Sequence, residues 1–593
     1  MKYLKPLAIG SFFMIVVGLG AISASRGSPG QGPCEQIVAA CRDAGFIQGG
    51  GQGHNGLWAD CIVPIMQGAG QSHKTGQPLP EVDPKLVTAC KAKNPNFGQP
   101  AQRSTQLGGH FSPMTPAPAA GAQSVLSRAP SSSTRRPNIV FILTDDLSWN
   151  LVQYMPHVLK MQKEGVTFAN YFVTDSLCCP SRSSIFTGRY PHDTGVFRNT
   201  GKDGGYIVFR DRGHERATFA VSLLEAGYRT AMLGKYLNGY LPPTHPAAPG
   251  WSTWAVAGNG YPEFHYNLRQ DGTVVHYGNK PADYLTDVLS GLAGRFIREA
   301  ADAPFLIEVA TFAPHAPYTP APRDADAFPG LTAPRTPAFN AAPDASAPKW
   351  LREIPMLAET DMTNIDRDFR KRAQSVLAVD KMIGELQAAV AAIGQEKNTY
   401  FIFSSDNGLH MGEHRLRPGK MTAFDIDIHV PLIVTGPGVP AGSTVEEMAG
   451  NIDLCPTFAE VATAVAPANV DGHSLVPLLL GQEVSEWRKA VLIEHHGPLR
   501  DRADPDAPAR LSGNPSTYEA IRMRTAVYVE YATGEKEYHD LTTDPHELHN
   551  TFLSLPSEEK AWLHKVLNRI KNCRDAKECW AAERAGHDTT RNR

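Results

Sequence analysis

The rhythm of apolar and polar positions changes several times along this chain, and each change marks an expected boundary. Met1-Lys2-Tyr3-Leu4-Lys5 leads into an apolar stretch over 6–24 that ends in small residues, the pattern of a signal peptide over 1–24. That stretch is near the lower length limit for a bilayer span, so an uncleaved anchor is the alternative. No second apolar run of comparable length follows, and no stable membrane span is expected after signal cleavage. Over 25–97, amphipathic runs at 36–44 and 84–92 predict a small module, whereas Pro, Ala, Ser and Gln dominate 98–136. Such a composition cannot bury enough apolar surface to order itself and predicts a flexible linker.

From Pro137 strands alternate with helices, which predicts an α/β fold with a large, mainly parallel sheet flanked by helices over 137–484. Ile139-Val140-Phe141-Ile142-Leu143 reads as a strand buried on both faces. Further buried strands are expected at Phe305–Ala310, 400–404 and 431–435, with helices at 155–164, 219–226, 284–300, 368–393 and 454–462. A Pro- and Ala-rich stretch over 320–360 reads as a surface excursion. Beyond 485, runs at 491–495, 518–524, Ala526–Tyr531 and 537–540 read as antiparallel strands, followed by a helix at 557–571. These predict a smaller C-terminal α+β subdomain over 485–593.

Composition narrows the function classes. The 593 residues carry a net charge of −3 with no long Lys/Arg run, so no nucleic-acid partner is expected. The nine Cys fit an oxidising, exported setting, periplasmic or secreted. Cys34, Cys41, Cys61 and Cys90 lack the paired C-x2–4-C spacing of structural zinc sites, so disulfides are expected there, with all three connectivities open. Cys573 and Cys579 form a further candidate pair near the C-terminus.

Candidate chemistry collects where strands end, which is where open α/β sheets bind ligands. Asp145-Asp146 follows the first strand, His315 the Phe305–Ala310 strand, and Asp406-Asn407 the strand at 400–404. Crowded carboxylates are unfavourable unless a cation neutralises them, and a hard divalent ion with oxygen ligands resolves this. Lys235, in Gly234-Lys235-Tyr236-Leu237-Asn238, also reaches a strand end. Between these lies Cys178-Cys179-Pro180-Ser181-Arg182, with Thr187-Gly188-Arg189 beyond it. Pro is tolerated in a first helical turn, so Cys178 is expected at a helix mouth that attracts anions, beside the cationic fork of Arg182.

The pattern C-x-P-S-R-x-x-x-x-T-G-R resembles the signature of the sulfatase family. The resemblance covers about 137–579 and implies an alkaline-phosphatase-like fold. It implies that a formylglycine-generating enzyme oxidises Cys178 to Cα-formylglycine, whose hydrate attacks sulfur. It implies a calcium site, with magnesium possible, formed by Asp145, Asp146, Asp406 and Asn407 and completed by residue 178. The Gly234-Lys235-Tyr236 segment is similar to the family's G-K-[WY] motif, and Pro314-His315-Ala316-Pro317 to its strand-end His motif. The block from Ser405-Asp406-Asn407-Gly408 through Arg415-Leu416 to Lys420 resembles the family's S-D-N-G … R-L … K run. Together these place Lys235, His315 and Lys420 on the sulfate ester, with Arg182 balancing charge. Leu237 stands where the commoner G-K-W-H version has a His, a departure shared with the N-acetylglucosamine-6-sulfatase and extracellular endosulfatase branch. The implied partner is a sulfated glycan or a small aryl sulfate. The alternatives are a phosphonate or phosphate ester hydrolase of the same superfamily, or a non-catalytic exported binding protein if Cys178 is not matured. His192, His410, Glu413 and His414 are expected in supporting positions.

Overall fold

The computed structural model describes residues 33–44, 61–68, 79–93, 136–501, 504 and 506–584. The expected signal peptide and nearly all of the expected linker lie outside the described residues. The chain divides into two compact units, Met1–Ala129 and Pro130–Arg593. In the first, helices Pro33–Asp43, Val63–Gln67 and Pro84–Lys93 bury Ile37, Ile62 and Met66 around the disulfides Cys34–Cys90 and Cys41–Cys61. Bridges closing loops of this size stabilise a small core by about 3–4 kcal/mol each in the chain-entropy picture. Among the described residues no helix is long and apolar enough to cross a membrane.

The second unit is built on a ten-stranded sheet. Its centre is five parallel strands in the spatial order Thr399–Ser405, Asn138–Thr144, Phe305–Ala310, Arg229–Lys235 and Thr253–Ala257. Leu432–Thr435 and Tyr266–Gln270 extend it antiparallel on either side. Strand Asn138–Thr144 alternates, as period-two geometry requires, between its two faces. Phe141 packs towards Phe186, Phe219 and Phe458, and Val140 and Ile142 towards Leu289, Val376 and Met382. Helices therefore cover both faces, which is why the central strands are apolar without interruption.

The helix expected at 368–393 spans Glu359–Ala392. In its first turns Met362 and Ile365 carry the core-facing stripe alone, because the residues beside them, Asp361, Asn364 and Arg367, line a cavity. The edge strand Thr273–Tyr277 is largely exposed and the strand Val166–Phe168 is only three residues long, which leaves both without a clear sequence signal. The stretch 320–360 is anchored rather than loose, with Ala347, Leu351 and Ile354 buried against Leu416 and Phe424.

The C-terminal part is an antiparallel sheet in the order Ala490–His495, Tyr518–Met523, Ala526–Tyr531 and Lys536–Asp540. Helix Ser557–Ile570 lays Leu563, Val566, Leu567 and Ile570 on Leu492, Ile521 and Tyr528. The Cys573–Cys579 bridge joins its end to helix Ala576–Glu583.

Candidate active site

Register brings the candidate residues to one edge of the sheet. Thr144 lies opposite Ser405, and Leu143 and Gly234 both lie opposite Ala310. Asp145-Asp146, Asp406-Asn407 and Lys235 therefore emerge side by side, although they are far apart in sequence. Two backbone features aim them. Asp146 has φ +65°, a left-handed conformation that few non-glycine residues adopt and that turns the chain sharply at the strand end. Gly234 has φ +97°, and a Cβ there would sit 1.9 Å from the Ala310 carbonyl oxygen, so only glycine lets the neighbouring strand approach at that point.

Helix Cys178–Thr187 enters this edge end-on, with Leu177 as its N-cap and Cys178 as its first residue. Pro180 sits within the first turn, where a missing N–H costs nothing. Every side chain of this helix is buried. Cys178 Sγ lies 3.2 Å from Asp145 Oδ1 and 2.9 Å from Lys420 Nζ. Burial, reinforced by the carboxylates of Asp145, Asp406 and Asp506, pushes the Cys178 thiol well above its ordinary pKa.

The nine candidate residues form one connected cluster. Lys235 Nζ contacts Asp145 Oδ2 at 2.5 Å, and Lys420 Nζ contacts Asp146 Oδ1 at 2.6 Å. Burial disfavours the charge of both lysines, but Asp145 for Lys235 and Asp146 for Lys420 outweigh it and hold the ammonium groups well above their ordinary pKa. Arg182 Nε donates to Asp406 Oδ2 at 2.7 Å and Nη1 to the Lys235 carbonyl at 2.9 Å, while Nη2 is buried without a hydrogen-bond partner, 3.9 Å from Asp145 Oδ2. His315 Nδ1 lies 2.8 Å from the Ala316 carbonyl, and its Nε2 lies 2.6 Å from Asp506 Oδ1 and 3.6 Å from Asp146 Oδ2. Burial works against the imidazolium, yet Asp146 and then Asp506 raise the His315 pKa above its usual value.

A cation would find oxygen donors here. Single donor atoms from Asp145, Asp146, Cys178 and His315 lie within 4.8 Å of one another. His315 already has both ring nitrogens engaged, which favours the oxygens. Asn407 Nδ2 donates to Asp146 Oδ1 at 2.7 Å, while Asn407 Oδ1 is buried without a hydrogen-bond partner beside these carboxylates. An orphaned amide oxygen among three Asp side chains fits a hard cation.

Other predicted residues sit further out. His192 lies between Glu494 and the Cys573 carbonyl, 2.8 and 2.9 Å away, and so ties the helix Cys178–Thr187 region to the C-terminal part. His410 is held by Asp427 and the Ser512 carbonyl, Glu413 accepts the Met411 N–H, and His414 stacks on Phe424. Leu237 is buried in the core and offers no polar atom. Three residues outside the sequence reading reach the site. Asn199 Oδ1 accepts the Cys179 N–H at 2.9 Å, Asn238 lies three residues after Lys235, and Asp506 arrives between the first two C-terminal strands. Asn238 stands in the same run as Lys235, but Asn199 and Asp506 carry no local motif.

Beside this cluster a cavity of 410 Å³ opens, lined by Asp146, His315, Lys420 and Asp506 together with Asp361, Asn364, Arg367 and Arg417. It has the size of a site for a small ligand.

The chain matches the Sulfatase family over residues 137–464 and the N-sulphoglucosamine sulphohydrolase C-terminal family over 412–575. It is 34% identical over 480 residues to human N-acetylglucosamine-6-sulfatase, covering 75% of this chain and 86% of that protein. It is 32% identical over 391 residues to the extracellular sulfatase SULF-1 homolog of Drosophila melanogaster, covering 64% of this chain and 35% of that protein. A solved protein in complex with its substrate D-glucosamine-2-N,6-O-disulfate superposes with a TM-score of 0.63 at 22% identity, covering 77% of this chain and all of that one.

Proposed function

The chain belongs to the sulfatase family and is a sulfuric ester hydrolase, and on that premise we propose that it is an exported enzyme that removes sulfate from a sulfated sugar through a formylglycine at position 178. The observation that carries this reading is the placement of Cys178 at a helix mouth, within 3.2 Å of Asp145 and 2.9 Å of Lys420. The sugar preference rests on the likeness to N-acetylglucosamine-6-sulfatase, and the exported state on the disulfides and the likeness to an extracellular sulfatase.

Matured residue 178 would supply a hydrated aldehyde as nucleophile, formed from cysteine by a formylglycine-generating enzyme. Asp145, Asp146, Asp406 and Asn407, with residue 178, would hold calcium or magnesium, which polarises sulfate oxygens and eases deprotonation of the nucleophile when bound. Lys420, beside residue 178, and Lys235, held by the neighbouring Asp145, balance charge on the ester. His315, with Nδ1 turned to the Ala316 carbonyl, points Nε2 into the site and can release a proton to the departing alcohol oxygen. Arg182 acts through Asp406 and the Lys235 backbone, holding both in place.

The test is hydrolysis by the natively exported protein of a hexosamine 6-sulfate, an aryl sulfate and an aryl phosphate side by side. Preference for the sulfates supports the reading. Preference for the phosphate would favour a phosphate or phosphonate ester hydrolase.

A further inference from the structure

The carboxylate of Asp506 is fully buried and satisfied by four donors from four separate segments. Its Oδ2 accepts from Asn199 Nδ2 at 2.7 Å and Asn238 Nδ2 at 3.0 Å. Its Oδ1 lies 2.6 Å from His315 Nε2 and 2.7 Å from Lys420 Nζ. The two oxygens thus differ in what holds them. The Oδ2 donors are neutral amides, and Asn199 cannot turn away, because its own Oδ1 is keyed to the Cys179 N–H at the helix mouth. The Oδ1 donors are the two groups that the proposed chemistry directs at the sulfate ester.

A sulfate ester entering the site takes His315 and Lys420, and Oδ1 then loses both partners while Oδ2 stays anchored. A buried carboxylate oxygen left without a donor is costly, so the ligand itself has to supply one. Asp506 also lines the cavity where the leaving alcohol would sit. A hydroxyl on the sugar next to the ester meets this need. A carboxylate in that place, as on a uronic acid, would face a like charge.

Resting on the sulfate ester hydrolase reading, we propose that Asp506 is a specificity-determining residue that accepts a hydrogen bond from a sugar hydroxyl neighbouring the sulfate ester. It selects neutral or amino sugars over aryl sulfates and over uronic acid sulfates.

The experiment compares kcat/KM of the full, matured protein and its Asp506→Asn variant on a hexosamine 6-sulfate, its 3-deoxy and 4-deoxy analogues, and an aryl sulfate. In the wild type, one deoxy analogue is expected to fall about 10–100-fold below the parent sugar. In Asp506→Asn that discrimination collapses. Turnover of the aryl sulfate rises, because a weaker competitor faces Lys420 and His315. Equal wild-type rates on the parent and both deoxy sugars overturn the proposal, and this comparison stands even if the variant does not fold. A parallel fall on all substrates would make Asp506 structural, and a parallel rise would make it only an internal anion; either overturns the proposal. Wild-type protein that turns over none of the sulfates overturns the hydrolase reading and this inference together. Turnover of the aryl sulfate without sugar discrimination overturns this inference alone.

Discussion

The Lys420 ammonium stands 2.9 Å from the sulfur of Cys178, across 242 residues of sequence. The same Nζ reaches Asp146 at 2.6 Å and Asp506 at 2.7 Å. One cation therefore ties the candidate nucleophile to the candidate metal carboxylates and to the residue proposed to read the sugar. No helix or strand dictates that meeting; it comes from a segment after the Thr399–Ser405 strand that folds back over the sheet edge.

Replacing Lys235, His315 or Lys420 by Ala is expected to lower kcat by about 10²–10³-fold for each, since their interactions strengthen as charge moves onto the leaving oxygen. Thermal unfolding should change less than activity. Effects confined to KM at all three positions would assign them to binding alone.

Exhaustive chelation is expected to remove activity and lower the melting temperature together, because a ligand bound only to the native state stabilises it by about 2.7 kcal/mol at one hundred times its Kd. Asp406→Asn should behave as the chelated wild type does and no longer respond to added calcium. Full activity in metal-free protein would contradict the site.

Glu308 offers a test of pH dependence away from the chemistry. It lies mid-strand between Phe141 and Met232, wholly buried, with both carboxylate oxygens lacking a hydrogen-bond partner. Burial pushes its pKa from 4.5 to about 8, tempered by Arg182. Below pH 4.5 both folded and unfolded forms are protonated and the group contributes nothing to pH dependence. Between 4.5 and about 8 the unfolded chain releases the proton and the native one keeps it, so stability falls as pH rises, by a few kcal/mol at most. Glu308→Gln should lose less melting temperature between pH 5 and pH 8 than the wild type. Equal slopes would show that Glu308 is ionised in the native protein.

Removal of 25–130 is expected to leave turnover of a small aryl sulfate within about twofold, because each candidate catalytic residue lies beyond Pro137 and the module has its own disulfide-stapled core. Kinetics on the matured deletion variant check this, and a collapse of small-substrate turnover would give the module a part in shaping the site.

The central strands were legible because burial on both faces writes an unbroken apolar run, as in Ile139 to Leu143. The acids and lysines that follow such runs were legible because strand ends are where an α/β sheet places ligands. The residues at Asn199 and Asp506 were not, since each reaches the site through tertiary packing from a loop with no periodic pattern. The first turns of helix Glu359–Ala392 escaped for a related reason. There Met362 and Ile365 alone carry the apolar face, while Asp361, Asn364 and Arg367 beside them line a cavity.

The proposed chemistry depends above all on what residue 178 is in the working protein. Mass spectrometry of the peptide containing residues 178 and 179, from natively exported and active protein, measures this directly. The prediction is Cα-formylglycine at 178 beside an unmodified Cys179. An unmodified Cys178 in protein that still hydrolyses sulfate esters would contradict it.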